Sequence, residues 1–160
     1  MAGCSFTGHR SIPYRHLEPL TALVRRAIDY AYRQGCRSFY SGGAVGFDTL
    51  CAREVISFRM FHSDVRLVMI LPCKNQTKNW SSRQVAMYEY ILSEADEIIY
   101  TGEEYTPDCM RIRNRRLADV CDILIAYAGR AGSGSSQTVK MAASAGKKVY
   151  NLYSAAENAN

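Results

Sequence analysis

The sequence predicts a three-layer α/β fold of the Rossmann-like kind, with a mostly parallel central sheet between two layers of helices. Three observations carry this. Short apolar runs alternate with longer amphipathic stretches along nearly the whole chain, the pattern of repeated βα units. Two of the runs, Leu67-Val68-Met69-Ile70-Leu71 and Ile123-Leu124-Ile125-Ala126, are continuously apolar, as parallel strands are when helices cover both faces. Glycine-bearing turns follow strand-like runs and open helix-like stretches. That places them beyond the carboxyl ends of the strands, where open sheets of this kind hold ligands.

In chain order, Cys4–Thr7 is the first strand and Leu17–Arg33 the first helix. Within that helix Leu20, Leu23, Val24, Ala27, Ile28 and Ala31 recur at helical spacing on one face, and Gly35 is its stop. Ser38–Ser41 precedes a helix over Phe47–Phe61; the strand Arg66–Leu71 precedes a helix over Ser81–Ala95. Next come a strand at Glu97–Tyr100, a helix over Cys109–Cys121 and a strand at Ile123–Tyr127. A helix over Ser136–Ala145 and a strand at Lys148–Tyr153 complete the pattern. No linker, repeat or low-complexity tract divides it, so residues 1–160 read as one domain, with the tail after Ser154 frayed.

Composition narrows the class. The chain has 160 residues, 48% of them hydrophobic, and no apolar run long enough to span a bilayer. Its start enters a strand-like run with neither a basic region nor a long apolar segment, which argues against a secretory signal and for the cytoplasm. The six cysteines are scattered, without a C-x-x-C pair or nearby histidines at ligand spacing, so they read as buried thiols rather than metal ligands or disulfides. The formal net charge is +5, with arginines gathered at positions 111, 113, 115 and 116, which favours anionic ligands. A solvated helix face explains the same arginines equally well.

Three loops carry the candidate chemistry. The turns Ser41-Gly42-Gly43-Ala44-Val45-Gly46-Phe47-Asp48 and Gly132-Ser133-Gly134-Ser135-Ser136-Gln137-Thr138 have the layout of a phosphate cradle. Glycine lets the backbone turn and approach a ligand, and the helix that follows offers unpaired N–H groups at its positive end. Gly43 and Gly46 are expected to admit the ligand to the backbone. The third loop is Thr7-Gly8-His9-Arg10, whose histidine is better placed than His16 or His62 to reach a cleft. The glycine spacing matches neither G-x-G-x-x-G nor a Walker A loop, so dinucleotide dehydrogenases and P-loop NTPases lose weight. Asp48 reads either as a carboxylate favoured by the helix dipole or as an acceptor for a ribose hydroxyl. Ser133, Ser135, Ser136 and Thr138 could donate to phosphate oxygens or simply cap a helix. Asn114 interrupts the apolar stripe of Met110, Leu117 and Cys121, so it must bond a neighbouring loop or face the cleft. Arg113 beside it could grip a phosphate bidentately. Trp80 and Tyr105 could stack on a base or pack internally.

With these residues in view, the chain resembles the SLOG superfamily of Rossmann-like domains, and within it the YpsA-like branch. The carriers are Phe6-Thr7-Gly8-His9-Arg10, the Ser41–Asp48 loop, Pro72-Cys73-Lys74-Asn75-Gln76, Arg113-Asn114-Arg115, Asp122–Ala126 and Gly134-Ser135-Ser136-Gln137-Thr138. Within the superfamily, the Ser-Gly-Gly-Ala-x-Gly-x-Asp loop and the Ser133-Gly134-Ser135 turn are similar to the nucleic-acid-binding core of DprA proteins. The stretch from Arg113-Asn114 resembles the region that holds the catalytic arginine and glutamate of LOG phosphoribohydrolases. The LOG pattern Pro-Gly-Gly-x-Gly-Thr-x-x-Glu is absent, and no carboxylate stands where its glutamate would be.

The resemblance and the residues together imply a domain that binds a nucleotide or nucleotide-derived ligand, such as ADP-ribose or a dinucleotide, as a sensor or regulator. No cofactor or metal is required. N-glycosidic hydrolysis or transfer, with Asp48 or Glu89 as the carboxylate, is the enzymatic alternative. DprA-like binding of single-stranded nucleic acid, with bases stacked on Tyr105 or Trp80, is a third. A homodimer is expected from the SLOG relatives and from Tyr30, Tyr32, Tyr88 and Tyr90, which exceed what one small core readily hides.

Overall fold

The computed structural model describes residues 2–159. Strands and helices alternate: β1 (Ala2–Gly8), α1 (Tyr14–Arg33), β2 (Cys36–Ser41), α2 (Phe47–Arg59), β3 (Arg66–Leu71) and α3 (Ser82–Glu94) form the first half. The second half is β4 (Glu97–Tyr100), α4 (Cys109–Val120), β5 (Ile123–Tyr127), α5 (Gly134–Ser144), β6 (Lys148–Asn151) and α6 (Tyr153–Glu157). The six strands form one sheet in the order β4-β3-β2-β1-β5-β6, and every pairing in it is parallel. The fold is therefore the Rossmann-like α/β class, with a sheet that is wholly rather than mostly parallel.

The winding explains the layers. Stepping outward from β1 to β4 through right-handed crossovers puts α1, α2 and α3 on one face. The chain then returns past β1 to lay down β5 and β6 in the opposite direction, which puts α4 and α5 on the other face. Contacts follow that division, joining α1 to α2, α2 to α3 and α4 to α5. Side chains alternate accordingly. Phe6, Phe39, Leu67, Met69, Ile123 and Ile125 pack under α1 and α2, around Leu20, Val24 and Ile28 of the expected α1 stripe. Leu124 packs toward Ala118 and Ala142, and Val68 and Ile70 toward Leu117. All six cysteines are buried free thiols.

Helix α1 begins three residues before the expected Leu17, although Pro19 lies inside it. Proline lacks the N–H that would reach back to the Arg15 carbonyl, so the first turn depends on long-range partners. Buried His16 supplies them: Nδ1 lies 2.5 Å from the Tyr127 hydroxyl and Nε2 lies 2.6 Å from Glu157 Oε2. The same contact corrects the expected fraying after Ser154. Residues Tyr153–Glu157 form α6, Ala156 is buried, and Glu157 also pairs with Arg15 at 3.0 Å. The Arg15 guanidinium, and then His16, hold the Glu157 carboxyl below its ordinary range. Strand β6 accordingly stops at Asn151 rather than Tyr153.

Three of the four tyrosines behind the dimer expectation have partners within the chain. Tyr30 meets the Tyr150 hydroxyl at 2.9 Å, Tyr32 donates to Asp64 at 2.9 Å, and Tyr88 accepts from Gln76 Nε2 at 3.0 Å. Tyr30 and Tyr90 nonetheless keep more than a third of their surface exposed. No helix among the described residues is long and apolar enough to cross a membrane.

Candidate functional site

Strand β1 has β2 on one side and β5 on the other, so the connections leaving β1 and β5 diverge to opposite faces. Such a divergence leaves a crevice at the carboxyl ends of the strands. A cavity of about 640 Å³ occupies it, within the range of small-molecule sites. Its walls are held by bonds between loops: the His9 N–H donates to the Tyr127 carbonyl at 3.1 Å, and the Phe47 N–H donates to the His9 carbonyl at 3.1 Å.

Of the residues singled out in sequence, Gly8, His9, Arg10, Ala44, Asp48, Arg113, Asn114, Ser133, Gly134 and Ser135 line this cavity. Ser41, Gly42, Gly43, Gly46, Gly132, Ser136 and Thr138 do not. The Ser41–Asp48 loop is a poor cradle, because three of its amides are already engaged and Gly42, Gly43 and Gly46 do not line the cavity. Gly43 N–H donates to Ser41 Oγ at 3.3 Å, Ala44 N–H to Asp48 Oδ2 at 3.2 Å, and Phe47 N–H to His9. Nor do Gly43 and Gly46 admit a ligand. A Cβ on Gly43 would meet Leu71 and one on Gly46 would land on the Arg10 carbonyl, so these glycines serve packing between loops.

The second glycine turn remains open to the cavity. Ser133 caps α5, its Oγ accepting the Ser136 N–H at 3.1 Å. The N–H groups of Gly134 and Ser135 have no partner among the described residues and stand at the positive end of the helix. Thr138 turns back instead, donating to the Gly134 carbonyl at 3.0 Å. Arg10 and Arg130 are exposed at the rim. Of the two readings for Trp80 and Tyr105, packing fits Trp80, which lies edge-on against Tyr88, and neither residue lines the cavity. Glu89 is exposed on α3 and does not line it either, which leaves Asp48 as the lining carboxylate.

At the floor, two opposite charges are buried together. Arg113 and Asp48 are each 5% exposed. They press on Gly42 from two sides, so that a Cβ there would sit 2.5 Å from Arg113 Nη1 and 2.9 Å from Asp48 Oδ2. Burial pushes the Asp48 carboxyl up and the Arg113 guanidinium down, and each charge opposes the other's shift. Because a guanidinium effectively never loses its proton, Arg113 stays cationic and favours the ionised carboxylate. The expected bidentate grip on a phosphate does not fit this geometry. Arg113 Nε donates to Asn114 Oδ1 at 2.8 Å, Nη1 to the Gly42 carbonyl, and Nη2 to Met110 Sδ at 3.6 Å. Asn114 thus faces the cavity and orients Arg113 rather than bonding a neighbouring loop's backbone.

His9 ties two walls together. Its Nε2 accepts the Gly129 N–H at 2.8 Å, which places the ring proton on Nδ1, 3.4 Å from Ser135 Oγ. Burial, and then the charge of Arg130, lower its pKa from 6.5. A depressed histidine contributes stability that is present above its unfolded value and is lost as pH falls through the folded one. Titration of the His9 ring by NMR should therefore give a midpoint below 6.5, with the Gly129 amide shifting in step. A midpoint at or above that value would show that the ring is neither desolvated nor facing the Arg130 charge as the cavity places it.

Sequence reasoning missed Tyr127, Gly129, Arg130 and Tyr153, all of which line the cavity. Arg130 had a local signal, since it lies in the loop after an apolar run and just before Gly132. Tyr153 had none: it enters because α6 docks beside α1, and its ring fills the space that a Cβ on Gly129 would need.

Comparison with known proteins agrees with this architecture. The family model described as the YspA SLOG family matches residues 6–155. The chain belongs to that family. Among similar proteins, the uncharacterized SPbeta prophage-derived protein YoqJ of Bacillus subtilis (strain 168) is 29% identical over 145 residues, covering 83% of this chain and 81% of that protein. A UPF0398 protein of Bacillus thuringiensis (strain Al Hakam) is 24% identical over 140 residues, covering 86% and 76%. Among solved structures, DNA processing protein A (DprA) of Streptococcus pneumoniae superposes with a TM-score of 0.68 at 17% identity over 94% of this chain. DprA of Helicobacter pylori, whose structure describes a single-stranded DNA binding mode, gives 0.65 at 18% identity over 92%. This chain spans 50% and 63% of those two DprA chains. At such identities the likeness establishes the shared fold.

Proposed function

We propose that the cavity between the β1 and β5 loops binds a nucleotide or nucleotide-derived ligand of the ADP-ribose kind, and that the protein acts as a sensor or regulatory module. The observation that carries this is the division of the cavity into a cationic rim and a carboxylate floor. Arg10, Arg130 and the free amides of Gly134 and Ser135 offer positive charge and donors to an anion, while Asp48 offers an acceptor deeper in. Membership in the SLOG family supports the same reading.

Binding is favoured over turnover because Asp48 is the one carboxylate among the lining residues, with no second carboxylate beside it to share acid and base roles. Cleavage of an N-glycosidic bond generally needs a positioned acid or base with freedom to exchange a proton. A thermal-shift screen against AMP, NAD and ADP-ribose tests the proposal. A ligand at about 100 times its Kd adds about 2.7 kcal/mol, roughly 5–10 °C in Tm for a chain of this size. No shift with any of the three would refute the reading, and enzyme-dependent release of free base from AMP would replace it with hydrolysis.

The DprA likeness and the net charge of +5 favour a second reading, binding of single-stranded DNA. It predicts affinity for long oligonucleotides that falls steeply with salt, without a matching mononucleotide site.

A further inference from the structure

The Asp48 carboxylate has an open valence. It lies in the first turn of α2, is 5% exposed and lines the cavity. Its Oδ2 accepts the Ala44 N–H at 3.2 Å, while no hydrogen bond from any described residue reaches Oδ1. Oδ1 is not sealed from solvent, since the fully buried side-chain atom left without a partner among the described residues is Gln76 Oε1; Oδ1 therefore opens on the cavity, the side from which a partner can come.

The required partner is a donor. An ionised carboxylate is acceptor-only; burial pushes the Asp48 carboxyl up, and the Arg113 charge across Gly42 opposes that rise. A phosphate brings no donor for Oδ1, and the nitrogens of Arg113 are already bonded within the chain, so the floor does not suit it and the rim, with Arg10, Arg130 and the α5 amides, receives it. What must reach the floor is an uncharged group next to a phosphate that presents O–H or N–H. We propose that Asp48 Oδ1 accepts from the 2′- and 3′-hydroxyls of a ribose, making the site selective for ribonucleotide-derived ligands over deoxyribonucleotides. This rests on the nucleotide reading above and narrows it. A residue inside a DNA strand lacks the 2′-hydroxyl and has its 3′-oxygen esterified, so it leaves Asp48 unsatisfied.

Calorimetric titration of the whole chain with AMP and ADP-ribose, beside 2′-deoxy-AMP and 3′-deoxy-AMP, tests the assignment without any variant. The deoxy analogues are expected to bind roughly 10- to 100-fold more weakly than AMP, the span for hydrogen bonds to a charged group. Asp48→Asn keeps the shape, and its folding is checked by circular dichroism. It should weaken AMP toward the level of the deoxy analogues and leave the analogues themselves almost unmoved. If AMP and its deoxy forms bind the wild-type chain equally, the ribose assignment is overturned while the nucleotide reading stands. Loss of affinity in Asp48→Asn that is equal for all three would likewise overturn it. Binding of none of the four ligands would overturn both.

Discussion

Gly46→Ala should be among the most destabilising single substitutions in the protein, although it adds one methyl group to a surface connection. Gly46 precedes α2 with φ at +84° and ψ at −123°, outside the left-handed helical region and in a conformation that costs an L side chain about 1–3 kcal/mol. The added Cβ would also land on the Arg10 carbonyl. Backbone cannot rotate away as a side chain can, so overpacking contributes a further 1–3 kcal/mol, roughly. The sum is about 2–6 kcal/mol. Gly132→Ala provides the control, because φ there is +80° and a Cβ would meet nothing within 4 Å. It should lose only the conformational part, about 1–2 kcal/mol. Urea denaturation of both variants measures the difference, and equal losses would show that the Gly46 and Arg10 backbones are not in contact. Because Arg10 stands at the cavity rim, any folded Gly46→Ala is also expected to bind its ligand less tightly.

Arg113→Ala should lose about 3–5 kcal/mol of stability, the usual cost of removing one member of a buried pair of charges. Three of its nitrogens are bonded within the chain, and its removal leaves Asp48 buried without the charge that opposes its desolvation. A guanidinium free to hold a phosphate would instead have given a stable variant with weak binding. The decisive measurement is a double-mutant cycle with Asp48→Asn. Combined with Arg113→Met, which fills the space without a charge, the second substitution should recover at least about 1 kcal/mol of the loss. Strict additivity would mean that the two charges do not act on one another.

The strands and helices were readable because each is written in local periodicity. The apolar stripe of α1 and the continuous runs of β3 and β5 specify both type and burial from residues a few positions apart. Where elements departed from that reading, a distant partner intervened. His16 carries α1 past Pro19, and Glu157 fastens a tail that has no apolar period of its own.

The site was legible in outline and misread in mechanism. Its loops follow from the rule that parallel sheets bind at their carboxyl ends, so His9, Arg10, Asp48, Arg113 and the Ser133–Ser135 turn were found. Their roles were not, because a donor's role depends on what else it touches. The Ser41–Asp48 amides look identical in sequence to those of the α5 turn, yet bonds to Ser41, Asp48 and His9 take those of Gly43, Ala44 and Phe47 while those of Gly134 and Ser135 stay open beside the cavity. Sequence by itself determined the alternation of elements, the parallel sheet and the end of it where a ligand would sit, since these rest on local patterning and on the handedness of crossovers. Only the tertiary structure decided which polar groups satisfy one another and which are left for a ligand. Hydrogen bonds and desolvation act over a few ångströms between residues as far apart as Gly42 and Arg113, and chain order does not record that proximity.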